Sequence, residues 1–395
     1  MNKKTHIEFN LNNFLLAISF LFDKVESKVY QTKANHSKRV TYLCLKIGEK
    51  FNLDFEQMSD LCSYSLLHNN GLFQAYQTIK HNCEISEENI KGLPFLNAQK
   101  NILLYQQERY DGSGLYGLKE EEIPLFSQII AFSSYLDRQF DLTNESKKNK
   151  DGIKKFIRTN ETKLFSQDLC EIFCDELSTQ VGFWLDVQDE NTMLQYIYQT
   201  LHDFTAVITY EELLEITKNI SLITSRNSKL LSSAERMLDF YSFEHKDKYT
   251  FLIAASLMDM GKLSIASESI NKVSKLNKDE YEQVKSYPYF TQKVLSNIMG
   301  FKEISIWAGR IQETLDAEGY PYSLDASTLS FKDRLLSILY IYNALRSKRV
   351  YREKLDHFDS ITILKEMGKT GKLDSAIIED INRILVPPVG ESHQV

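Results

Sequence analysis

The chain has no apolar run long enough to cross a bilayer. Phe14 to Phe22, the longest apolar stretch near its start, contains Ser19 and falls well short of the ~20 residues a spanning helix needs. The same stretch has no basic flank and no small-residue cleavage site, which excludes a secretory signal. Cysteine is scarce. The five residues (Cys44, Cys62, Cys83, Cys170 and Cys174) all lie in the first half, and an odd number at irregular spacing excludes a disulfide or zinc framework. Cys170 and Cys174 stand one helical turn apart, which permits a soft metal site, but with no further partners they read as small residues on a buried helix face. Excess positive charge is lacking too. A formal net charge of -7 excludes a general nucleic-acid binder, although a small local basic pocket remains compatible with it. These absences together point to a cytoplasmic globular protein without a membrane span.

Sustained two-residue alternation, the signature of strands, is nearly missing, so the expected fold class is all-α. At 395 residues the chain is too long for one typical domain and two are expected. Asn10 to Val25 reads as a first helix. His36-Ser37 opens a second, on which Val40, Leu43, Cys44 and Ile47 recur at i, i+3, i+4, i+7 and form one apolar face. Leu61 to Leu67 is helical and stops at His68-Asn69-Asn70-Gly71, where Asn-Gly is a breaker. Leu125 to Phe140 forms a long helix, and Asn144 to Asp151, with no large apolar residue, reads as a loop.

Between these segments lies Gln106-Gln107-Glu108-Arg109-Tyr110-Asp111-Gly112-Ser113-Gly114. Asp-Gly and the second glycine make this a turn, held between two apolar runs, which is a common placement for a site. The turn recurs. Glu313, Asp316 and Gly319 keep the mutual spacing of Glu108, Asp111 and Gly114, at an offset of 205 residues. Asn227-Ser228 repeats His36-Ser37 at an offset of 191, and Gly261 repeats Gly71 at 190. A near-constant offset broken by one insertion, in 263–310, is the mark of an internal duplication. The expected domains are 1–205 and 206–386, with 387–395 as a disordered tail.

The order His-Ser, a His-Asp-like doublet before Gly, Glu-x-x-Asp-Gly-Ser-Gly and a long helix resembles the HD-GYP family of the HD phosphohydrolase superfamily. The resemblance implies two tandem helical HD-superfamily domains, and an ancestry of metal-dependent cyclic di-GMP hydrolysis. It also implies a metal centre of histidines and carboxylates, because those ligands suit iron and manganese and the anions offset their charge. In the first half His36 matches the first ligand position. His68 matches the doublet, but Asn69 replaces its carboxylate; Asn82, or the adjacent His81 if the loop shifts, stands at the middle histidine; Gln106-Gln107 replace a His-His pair and Ser134 the last aspartate. In the second half Asn227, Met258, Tyr287, Ile311-Gln312 and Tyr340 stand at ligand positions and only Asp259 survives. Tyr287 and Tyr340 suggest a cavity filled by packing groups.

The remnant metal positions are therefore His36, His68, His81 and Asp259, and no cofactor is expected beyond weak iron or manganese in the first half. Only eight histidines are present, too few for two working centres. Lys262 stands where the family contacts a phosphate and is the one candidate catalytic residue, with a solvated surface lysine as the plainer reading. Gly319-Tyr320-Pro321 keeps the Gly-Tyr-Pro triplet, and Arg349 and Arg352 could grip a phosphate or end a solvated helix. Glu108, Arg109 and Glu313 could simply hold their turns. Together with Asp111, Gly114, Asp259, Lys262 and Asp316, these residues make up the expected ligand or partner surface. The resulting expectation is a catalytically degenerate regulatory protein of cyclic di-GMP signalling that binds a cyclic dinucleotide or a protein such as a diguanylate cyclase. Two alternatives are a phosphodiesterase with an atypical site in the first half and a purely structural interaction module.

Overall fold

The computed structural model describes residues 5–387 except 73, 75–77, 202–204, 225–227, 266–268, 270–271, 273, 275 and 349–352. The chain divides into two compact units. One is Asn10–Ala206; the other joins Met1–Phe9 to Val207–Val395. The first residues belong with the later unit because β1 (His6–Phe9) pairs with β2 (Ala206–Thr209) in a two-stranded sheet, so the division differs at the N-terminus from a simple cut at 205. The remaining regular structure among the described residues is helical, and no helix among them is long and apolar enough to cross a membrane.

The earlier unit is built around α2 (His36–Lys50), against which α1 (Leu11–Tyr30), α3 (Phe55–Leu66), α5 (Leu125–Gln139) and α9 (Glu190–Leu201) pack. The i, i+3, i+4, i+7 face of α2 is wholly buried, and each buried Leu or Ile on it stabilises by about 1.5–3 kcal/mol. Asn10 caps α1 by accepting from the Asn13 N–H, and Gln31 ends it in the left-handed conformation. A reciprocal Asp54–Gln57 capping box starts α3, and Thr78 caps α4 (Ile79–Asn89). The expected loop at 144–151 is a correction: Ser146 accepts from the Asn149 N–H and starts α6 (Lys147–Thr159), whose apolar stripe, Ile153 and Ile157, is narrow enough to hide among lysines. Two short helices, α7 (Gln167–Glu171) and α8 (Val181–Asp186), precede α9.

The later unit repeats the plan. Helices α10 (Tyr210–Ser221), α11 (Ser228–Phe240) and α12 (His245–Leu257) follow the order of α1, α2 and α3, and a Thr209–Glu212 capping box starts α10. The insertion read from the sequence adds α13 (Lys278–Lys285) ahead of α14 (Tyr287–Leu295) and α15 (Lys302–Gly309). The second copy of the turn then leads into α16 (Phe331–Leu345), the counterpart of α5, followed by α17 (His357–Lys369) and α18 (Ser375–Ile384). The tail at 388–395 lies outside the described residues.

Candidate functional site

The two copies of the turn use one hydrogen-bond scheme. Glu108 is buried and its carboxylate accepts the N–H of Tyr116 at 2.6 Å and of Leu118 at 3.1 Å. Glu313, equally buried, accepts the N–H of Tyr322 at 2.7 Å and of Leu324 at 2.9 Å. Asp111 closes a local turn by accepting from the Ser113 N–H, and Asp316 does the same with the Glu318 N–H. Glycine is required at 114, where a Cβ would stand 2.7 Å from the Glu108 Cα and the Arg109 nitrogen; at 319 it would meet Glu313 and Thr314 in the same way. Both glutamates are thus consumed by the backbone of their own loops. Arg109 is exposed, and Tyr320 and Pro321 are half-buried.

A different set of groups converges inside the earlier unit. Glu26 on α1, His36 at the start of α2 and His68 just past α3 offer ligand atoms within 4.8 Å of one another, and all three residues are buried. The His36 Nε2 lies 3.2 Å from Glu26 Oε2, and the His68 Nε2 lies 3.9 Å from Glu26 Oε1. Neither Nε2 nor either Glu26 oxygen completes a hydrogen bond. The far side of each ring explains why. His36 Nδ1 is 2.6 Å from Asp137 Oδ2 and His68 Nδ1 is 2.6 Å from the Ser65 carbonyl, both pure acceptors, so each Nδ1 carries a proton, and on a neutral ring Nε2 turns its lone pair toward Glu26. Asp137 is itself held by Arg39, through Nε at 2.7 Å and Nη2 at 3.0 Å. A carboxylate behind one imidazole and a carbonyl behind the other is how proteins orient metal-binding histidines.

Without an ion, the electrostatics hold a proton in the cluster. Burial pushes the Glu26 carboxyl up to about 7, against the pull of the His36 charge. Burial alone would lower His36, but the Glu26 and Asp137 carboxylates outweigh it and raise its pKa. His68 is driven well below its ordinary value by burial and by the His36 charge, which keeps its lone pair available. Asp137 is also desolvated, yet His36 and Arg39 hold it below the usual carboxylate range. A protonated His36 pairs with Glu26 across 3.2 Å, and a divalent cation would take that proton's place. Two imidazoles and one carboxylate form a donor set that suits Fe(II) or Mn(II); the 3.2 Å between His36 and Glu26 matches the ~3–3.5 Å separation of ligands bonded at ~2.1 Å, and the 3.9 Å between His68 and Glu26 is a wider angle at the same ion. The Glu26, His36 and His68 side chains therefore fit one such ion.

The sequence reading missed Glu26, Asp137 and Arg39. One signal was available: Asp23 and Glu26 are acidic residues one turn apart among the buried apolar residues Phe22 and Val25 of α1. His81 is a correction. It is exposed on α4 and pairs with Glu84 at 3.5 Å, while Asn82 takes the buried side, so no loop shift brings His81 to the cluster. Gln106 is buried, but its amide donates to the His68 carbonyl at 2.6 Å and so braces that histidine from behind.

The later unit brings its expected positions together with different chemistry. The Lys262 ammonium lies 2.8 Å from Asp259 Oδ1 and 5.5 and 5.7 Å from the Tyr287 and Tyr340 ring centroids. Tyr287 is buried, accepts from Gln312 Nε2 at 2.8 Å, and stands 3.4 Å hydroxyl to hydroxyl from Tyr340. Lys262 is only 17% exposed, which corrects the solvated-surface reading: its charge is turned inward onto Asp259. The amine occupies the middle of this group where an ion would otherwise be needed. Asn227, Arg349 and Arg352 lie outside the described residues.

The chain belongs to the HD-domain family, whose model matches residues 21–155 and again 211–377, once in each unit. It is 21% identical over 417 residues to the 3'3'-cGAMP-specific phosphodiesterase 1 of Vibrio cholerae, covering 96% of this chain and 94% of that one. A V. cholerae cyclic di-GMP phosphodiesterase is 29% identical over 133 residues, 32% of this chain and 27% of the relative. The crystal structure of a V. cholerae cyclic GMP-AMP-specific phosphodiesterase, V-cGAP3, shares the fold with a TM-score of 0.67 at 17% identity, over 96% of this chain and 99% of that one.

Proposed function

We propose that this chain works in cyclic-dinucleotide signalling by binding rather than by turnover, with one buried cation site in its earlier unit and a metal-free centre in its later one. The enclosure of Glu26, His36 and His68, each 1% exposed or less, carries this reading. Metal-assisted hydrolysis needs a water and a phosphate at the ion. Side chains this enclosed can hold a cation but present no face to a dinucleotide. When bound, the ion supplies positive charge that balances Glu26 and serves as a Lewis acid. Arg39 fixes Asp137, Asp137 fixes His36, and the Ser65 carbonyl fixes His68, so the cluster ties α1, α2 and the end of α3 together. The full-length likeness to a 3'3'-cGAMP-specific enzyme supports the choice of ligand class.

A second reading is phosphodiester hydrolysis in the earlier unit. The donor set itself and the activities named for the relatives favour it, and it requires the cluster to open to solvent. Calorimetry with 3'3'-cGAMP and cyclic di-GMP, followed by chromatography of the nucleotide after incubation with Mn(II) or Fe(II), separates the readings. Heat of binding with intact nucleotide supports the first. A linear dinucleotide product favours the second. No heat and no product removes this ligand class.

A further inference from the structure

In the later unit α10 and α11 stand apart over α12 and leave an open groove of about 680 Å³. Leu214 and Leu222 of α10, Leu231 of α11 and Leu252 of α12 form its apolar lining. Carboxylates flank it on both sides: Glu211, Glu212 and Glu215 on α10 and Glu235 on α11, against Lys218 as the one cation among the described residues that line it.

The duplication shows that this face is an altered one. At the offset of 191 residues, Leu231, Ser232 and Glu235 correspond to Val40, Thr41 and Cys44, all three fully buried in the earlier unit. There α1 packs against α2; in the later unit α10 packs chiefly on α12, leaving Leu231 half-buried and Ser232 and Glu235 exposed. Leu222 is 39% exposed at the groove's edge. A wall that is core in one copy has become, in the other, an apolar trough with an acidic rim.

We propose that this groove docks a cationic amphipathic helix from another protein. A volume in this range suits a few large side chains, and a trough between helices takes an apolar helix face through anchors spaced i, i+4. Lysines or arginines flanking that face would meet carboxylates on both walls. The rim's present ion pairs are Glu215 with Lys218 at 2.7 Å, Glu211 with His245 at 2.5 Å and Glu235 with Lys248 at 3.5 Å. The first two are substantially exposed and weak, and Lys248, which is 18% exposed, is held mainly by Asp239 at 2.5 Å, so an incoming cation can take the place of these contacts to the rim at little cost. This site is separate from the nucleotide reading and stands or falls without it.

The probe is a fluorescein-labelled model helix with leucines on one face and lysines on the other, titrated with the full chain at physiological salt and followed by anisotropy. Saturable micromolar binding is expected. It should weaken at least tenfold in Leu222→Glu and in the double variant Glu215→Lys/Glu235→Lys, all at exposed positions whose side chains cap no helix. A peptide of the same composition with the apolar face scrambled, and one with glutamates for lysines, should fail to saturate. Equal binding by the scrambled peptide or by the groove variants overturns the proposal, since attraction to the acidic surface would then explain the signal. Absence of saturable binding overturns it as well. A concentration-dependent dimer lost in Leu222→Glu would make a second copy the occupant and contradict it.

Discussion

His36 and Glu26 face each other at 3.2 Å in a fully buried pocket, and neither completes a hydrogen bond with the other. At that spacing the two side chains fit as ligands of one ion, as proposed above. Purified protein loaded with Mn(II) or Fe(II) and then dialysed should retain about one ion per chain. His68→Ala and Glu26→Gln should each lower affinity at least tenfold, since each removes one of three donors. Metal analysis of the three proteins checks this. Equal retention by wild type and both variants would place the ion elsewhere.

The later unit should behave differently. Lys262→Met leaves the buried Asp259 without its ammonium, which should destabilise the protein by about 3 kcal/mol, the low end for a broken buried pair because Lys262 keeps some contact with solvent. Adding Asp259→Asn should restore part of the loss. Urea unfolding of the single and double variants measures both. A single variant as stable as wild type would mean that the pair contributes nothing.

Glu108 and Glu313 should prove structural and equivalent. Each holds two backbone N–H groups of its loop, so Glu108→Ala and Glu313→Ala should each cost about 3–5 kcal/mol from two charge-assisted bonds. Glutamine at either place keeps one acceptor and should cost less. Loss of ligand binding with unchanged stability would instead show that these carboxylates belong to a site.

The later unit should also weaken in acid through His357. This histidine is buried, with Nδ1 2.9 Å from the Tyr342 hydroxyl and Nε2 3.2 Å from the Asn382 carbonyl, and burial lowers its pKa from the ordinary 6.5. The unfolded chain takes up a proton near pH 6.5 while the folded chain does not. The folded state therefore binds fewer protons, and stability is lost as pH falls below 6.5. Between pH 7.5 and 5.5 the urea midpoint should drop further in wild type than in His357→Gln, in which this titration is missing. Equal drops would remove His357 as the cause.

Much of the architecture was legible because it rests on local patterns. The apolar face of α2 and the Asp-Gly turn are spelled out within a few residues, and the repeated Glu, Asp and Gly exposed the duplication before any fold was known. The Glu26–His36–His68 cluster was only half legible. His36 and His68 could be matched to motif positions, but Glu26 comes from a helix outside those motifs, and only packing of α1 against α2 brings it to 3.2 Å from His36. Lys262 misled for a related reason. A lysine beside a turn reads as solvated until the rings of Tyr287 and Tyr340, which follow it by 25 and 78 residues, are seen to close around it. The start of helix α6 at 147–151 escaped because a run of lysines precedes a stripe of just two isoleucines, although the segment from Ile153 to Ile157 reads as helix.

The most direct measurement is recovery of the nucleotide itself. Protein loaded with Mn(II) or Fe(II) is held in excess over labelled 3'3'-cGAMP or cyclic di-GMP for many hours, and the bound nucleotide is then released and chromatographed. Binding without turnover predicts that it is retained by the protein and comes off as the intact cyclic dinucleotide. Conversion of the bound nucleotide to a linear product, abolished by His68→Ala, would contradict that directly.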